Sequence, residues 1–303
     1  MELDLGQNYY NKDVFMKNLV LSLMLVFSAA ALACTEDGKG GIVEDNDLYI
    51  SADSLYVGGI TQEQFNSVID RIEAIYLPIA SNLGKKLNIA RKWEDGTVNA
   101  NASQSGSNWN INMYGGLARH ETITEDGFAL VLCHETGHLL GGAPKIAGFM
   151  NKWASNEGQA DYFANLKCLR KTFLNDDNAA VVANLNAPET LVTACAKAFA
   201  NKDEKNICIR GGMAGMSVAN LFAALRSKPN AKFETPDTAV VTKTDDAHPA
   251  HQCRLDTYFQ GSLCEIGMNE DVSEKEEVKG TCHKSIGHSV GLRPLCWFKP
   301  KVN

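Results

Sequence analysis

Residues 134 to 138 read His-Glu-Thr-Gly-His, and the apolar run Phe128 to Cys133 leads straight into them. Leu139 and Leu140 continue the run on the far side. This segment restricts the fold more than any other. Wound as a helix, it sets two imidazoles four residues apart on one face. The Glu135 carboxylate stands about 100° round the axis. Two imidazoles at this spacing are a pair of metal ligands, and the carboxylate between them can reach a water in an open coordination position. So dense an apolar flank predicts a helix buried nearly all round. Thr124-Glu125-Asp126-Gly127 supplies a capped, acidic start, and Gly141-Gly142 with Pro144 supply the stop. Gly137 costs up to ~1 kcal/mol inside a helix, which implies close approach of another backbone or of a substrate. The plain alternative is a core helix whose histidines are satisfied structurally.

A catalytic zinc commonly takes three protein ligands and leaves one position open. One way to complete the set is a third His six residues past the second. Gly141 fits that pattern, but Pro144 stands where the His would be. The other way is a Glu from a second helix. Nineteen residues past His138 lies Glu157, in Asn156-Glu157-Gly158-Gln159-Ala160-Asp161. Glu157 and Asp161 are four apart and share a helical face. Glu157 suits the metal, and Asp161 suits the second N–H of a ligating imidazole.

These elements resemble the gluzincin zinc metallopeptidases, within them the family of the CAAX prenyl proteases and the HtpX- and BepA-type peptidases. His134-Glu135-x-Gly137-His138 and Glu157-x-x-Ala160-Asp161 carry the likeness, with a downstream His248-Pro249-x-x-x-x-Arg254. It covers roughly residues 105 to 256. It implies an α+β, mainly helical fold: a zincin-like peptidase domain with a small edge sheet on the active-site helix. It also implies one Zn2+ held by His134, His138 and Glu157, Glu135 as the base that activates water, and His248 as donor to the oxyanion. A surface-loop histidine is the competing reading of His248. Arg254 suits a carboxylate partner or a purely structural role. The alternating segment Asn108 to Leu117 stands where the family's edge strand lies, which makes Asn110, Asn112, Gly115 and Gly116 the expected contacts to an extended peptide substrate.

Leu19 to Ala33 is an apolar stretch of fifteen residues, short for a membrane span of ~20 and suited to the core of a signal peptide. Glu2, Asp4 and Asp13 are acidic where such a leader is basic, whereas Met16-Lys17 makes a normal start. Residues 1–15 are therefore expected to be a gene-model extension and 16–33 the signal peptide; recovery of a precursor peptide from 1–15 would overturn this. Ala31-Leu32-Ala33-Cys34 fits signal-peptidase cleavage and also resembles a bacterial lipobox with Cys34 as the lipidated residue. The lipobox implies an envelope protein tied to the membrane through Cys34, with Thr35 pointing to the outer membrane, facing the periplasm; plain secretion is the alternative. Residues 34–47 read as an acidic, Gly-rich tether, and 48–303 as one peptidase domain with its catalytic core at about 105–256 and a Cys-rich part at 257–303.

Nine cysteines less Cys34 leave eight, an even set that suggests disulfides in an exported chain. Cys253–Cys264 and Cys282–Cys296 are the nearest neighbours and the first expected pairs; Cys133 reads as a free buried thiol. Helices are expected at Thr61 to Leu83, from its stripe Phe65, Val68, Ile69, Ile72, Ile75 and Tyr76, and at Ala179 to Leu185, Pro188 to Ala200 and Gly215 to Leu225. Asn88 to Ser107, polar and Asn-rich, reads as loop with pieces of strand. Net charge is -7 with no basic stripe, so nucleic acid is excluded as a partner. Two functions compete: a zinc endopeptidase of the envelope, and a catalytically silent zinc-fold lipoprotein that binds envelope partners.

Overall fold

A computed structural model describes residues 31–32, 41–54, 58–147 and 152–301. The expected extension at 1–15, nearly all of the signal peptide and the lipid site Cys34 lie outside these residues. The fold is mainly helical with one small sheet. Helix α1 (Gln62–Asn82) begins at a capping box in which Thr61 and Gln64 satisfy each other's backbone N–H. It buries Phe65, Val68, Ile69, Ile72 and Tyr76 of the expected stripe, and Ile75 is half-buried against the same core.

The sheet holds β1 (Ala31–Leu32), β2 (Lys86–Lys92), β3 (Ala100–Ser105) and β4 (Asn108–Tyr114) in the order β1-β3-β4-β2. Trp109, Ile111 and Met113 alternate inward on β4. The segment expected to be loop with pieces of strand contributes most of β2 and all of β3. Its Ala, Ser and Asn residues have weak strand preference, and pairing with β4 overrides it. The expected edge strand needs correction. β4 pairs with β2 on one side and β3 on the other, so its main chain has no free edge. Asn110 and Asn112 make cross-strand side-chain bonds to Asn88 and Asn101. Gly115 and Gly116 open the short α2 (Gly115–Arg119) and are buried against the backbone of Trp93 and Gly96. None of the four is placed to receive a peptide along β4.

The motif helix α3 (Glu125–Leu140) starts at the cap Thr124 and is buried along almost its whole length. The second helix α4 (Glu157–Phe163) is capped by Asn156 and passes through one π turn, Ala164–Cys168, into α5 (Leu169–Phe173). α6 (Asn178–Ala183) and α7 (Glu189–Ala198) match expectation. α8 (Lys202–Leu225) starts thirteen residues before the predicted helix, because Gly211 and Gly212 lie inside it against Ser262 and Leu191 instead of breaking it. It is long and apolar enough to cross a membrane, but it packs within the protein against α3 and α9 (His251–Leu263).

Four disulfides join Cys133–Cys168, Cys195–Cys208, Cys253–Cys296 and Cys264–Cys282. Both expected pairs are wrong, since Cys253 and Cys264 stand at opposite ends of α9, roughly 16 Å apart at 1.5 Å per residue. Cys133 is not a free thiol; it ties the motif helix to the π turn. The C-terminal tail docks as its apolar residues suggest, with Trp297 fully buried and its ring N–H donating to Thr257.

Candidate metal centre

α3 and α4 cross closely because Gly137 has no side chain. A Cβ there would lie 2.9 Å from both Cα and the carbonyl oxygen of Ala160. This contact brings Glu157 to the two imidazoles. Nε2 of His134 lies 3.4 Å from Glu157 Oε2, and Nε2 of His138 lies 3.6 Å from Glu157 Oε1. The three residues offer ligand atoms within 4.8 Å of one another, and all three are fully buried. Together they form a group that could bind a metal ion.

The outward nitrogens face other groups. His134 Nδ1 is 2.7 Å from Asp161 Oδ1, and His138 Nδ1 is 2.8 Å from the Ser155 carbonyl. His138 Nδ1 therefore carries the hydrogen of a neutral ring whose Nε2 lone pair faces Glu157, and Asp161 orients the His134 ring so that its Nε2 faces Glu157 as well, ready to ligate once that nitrogen has lost its proton. His134 Nε2 and both oxygens of Glu157 have no hydrogen-bond partner, although they are buried. Unpaired buried donors and acceptors are costly. A cation among them would satisfy all three, so the residues present fit a metal.

Glu135 is fully buried beside this group, and neither of its carboxylate oxygens has a partner. Burial pushes its pKa up to about 8, only partly offset by His134. Burial opposes charge on His134, but Asp161 and Glu157 outweigh it and raise that pKa to about 9. Burial wins at His138, whose pKa falls to about 4. At Glu157 burial is overcome by His248, His138 and His134, which hold the carboxyl well below its usual range.

Asp161 is the hub of a second layer. Arg254 grips it with Nε and Nη2, each at 2.7 Å, and the Tyr258 hydroxyl donates to Oδ1 at 2.7 Å. Burial would raise the Asp161 pKa, but Arg254 and His134 bring it down, so it stays ionised. Of the two roles open to Arg254, the structure selects a carboxylate partner. His248 is no surface-loop residue: its side chain is 5% exposed and its Nε2 lies 3.3 Å from Glu157 Oε2. Sequence reasoning missed Tyr258, although it sits four residues past Arg254 on one helical face. It also missed the Ser155 carbonyl, for which no side-chain signal exists.

No family model, curated protein or solved structure matches this chain. The resemblance to gluzincins is one of sequence motifs.

Proposed function

We propose that the protein is a zinc-dependent endopeptidase. One observation carries this reading: two imidazole Nε2 atoms and the Glu157 carboxylate converge, with the Glu135 carboxylate unpartnered next to them. His134, His138 and Glu157 would hold the ion. Zinc in such a set polarises a carbonyl and lowers the pKa of water to near 7. Glu135 accepts the proton of the attacking water and returns it to the departing amine. Asp161, fixed by Arg254 and Tyr258, holds the His134 ring in the required tautomer.

Four disulfides point to an oxidising compartment, extracellular or periplasmic. A lipid on Cys34 and an outer-membrane location remain part of the proposal, as do envelope or extracellular proteins as substrates. The test is zinc content together with casein hydrolysis, wild type beside Glu135→Gln. Both should bind one zinc, and the variant should lose at least ~100-fold in rate. Equal rates for the two would overturn the mechanism.

A further inference from the structure

The centre is closed: His134, Glu135, His138 and Glu157 are all fully buried. The segment expected to be a free tether is bonded to two residues that touch the centre, His248 and Arg254. Residues 41–43 are buried, whereas 44–49 are exposed. Gly41, Ile42 and Val43 lie along the start of β3, where Ile42 donates its N–H to the Ala100 carbonyl at 2.9 Å. Asn99 bonds both backbone groups of Val43, accepting from N–H and donating to C=O, each at 3.3 Å. Arg254 Nη1 donates to the Ile42 carbonyl at 2.7 Å. His248 Nε2, within 3.3 Å of Glu157, donates to the Gly41 carbonyl at 2.8 Å.

Five successive main-chain groups, from the Gly41 carbonyl to the Val43 carbonyl, are thus paired with the sheet edge or with residues around the centre. Such contacts hold this bent segment through its main chain, largely regardless of its side chains. Two further features fix this occupant. Glu44 pairs with Arg226 at 2.9 Å. A Cβ on Gly41 would lie 1.9 Å from the Ala100 carbonyl oxygen, so only glycine fits there. The Gly41 carbonyl also takes up the one N–H that His248 would offer to a reacting carbonyl oxygen.

We propose that residues 41–44 are an internal ligand, held through their main chain beside the metal centre, and that they keep it closed until they leave. The effect on turnover rests on the peptidase reading; the binding does not. The exposed acidic stretch that follows, Glu44 to Leu48, offers a place where a protease can cut without unfolding the domain.

The test uses the full chain with a recognition site for a sequence-specific protease inserted between Asp47 and Leu48, in a Gly41→Ala background that weakens the resident segment. The probe is a fluorescent peptide of residues 38–47 with its natural glycine. After cutting, the peptide should bind saturably, and its Gly41→Ala version should not. The uncut parent with Gly41 intact should bind neither. Casein hydrolysis should rise at least ~10-fold on cutting, and the added peptide should reverse the rise. Near-ultraviolet circular dichroism and zinc content establish that the cut chain stays folded. Binding without hydrolysis in either form would uphold the internal ligand and count against the peptidase reading. A folded, cut chain that fails to bind the peptide, or binds it no better than the uncut parent, would overturn the internal ligand even where casein is cleaved.

Discussion

Removing the charge of Glu135 should stabilise the metal-free protein. The Glu135 carboxyl has a pKa of 4.5 when exposed and about 8 in the folded chain. Between those values the folded state holds a proton that the unfolded state has released. Stability then falls as pH rises, because the unfolded state binds fewer protons there. At about 1.4 kcal/mol per unit, Glu135 withdraws roughly 3 kcal/mol of folding stability at pH 7. This is an upper bound, since the chain around a buried charge relaxes. Glu135→Gln keeps the shape and the same buried polar group, so only the charge changes. In chelator-treated protein with intact disulfides, urea unfolding should show no gap between the two near pH 4.5. A gap favouring the variant should open as pH rises and level off above pH 8. Saturating zinc should shrink it, since a nearby cation favours the carboxylate. A gap that does not change with pH, or a variant less stable than wild type at pH 7, would refute the reasoning.

Arg254→Ala should destabilise the fold by ~3–5 kcal/mol, because it strands the buried Asp161 carboxylate. Arg254→Lys, which loses the two-pronged grip, should fall between the two, as read from urea midpoints. Replacing Cys133 and Cys168 together by Ala should cost about 4 kcal/mol by loop-closure entropy, given their separation of 35 residues. Thermal unfolding of the oxidised proteins checks this, and an unchanged midpoint would show that the crosslink adds nothing to the folded centre.

The helical half of the centre is written locally. His134, Glu135 and His138 declare themselves by spacing on one apolar helix. Glu157 and Asp161 do so by the same four-residue rule, because helical periodicity is a property of neighbours in sequence. Everything that depends on distant pairing was hidden. The order of the strands follows from which edges meet in space, so β4 could be recognised as a strand and still be misplaced at the edge. The disulfides followed the same rule: nearness in sequence suggested Cys253 and Cys264, yet the helix between them drives them apart. The docking of Gly41 was invisible because its reason, a carbonyl of β3 at the position of a missing side chain, lies 59 residues away.

The charges of the buried centre argue for a divalent ion independently of ligand geometry. Glu135, Glu157 and Asp161 are fully buried carboxylates; among the described residues Arg254 is the buried guanidinium that faces them, and the His248 ring lies 3.3 Å from Glu157. Ionised together, the three acids would leave two negative charges uncompensated, which a low-dielectric interior does not tolerate. The metal-free chain meets the deficit with protons: one on Glu135 below about pH 8, and an extra one on His134 below about pH 9. A divalent cation supplies the same two charges. It also requires the lone pair of His134, so both protons must leave as it binds. Zinc titrated into the apoprotein at pH 7 should therefore release about two protons. Isothermal calorimetry in buffers of different ionisation enthalpy counts them. The number should drop to about one in Glu135→Gln and approach zero above pH 9. Tight binding with no proton released at pH 7 would mean that protons do not balance the buried acids in the metal-free chain.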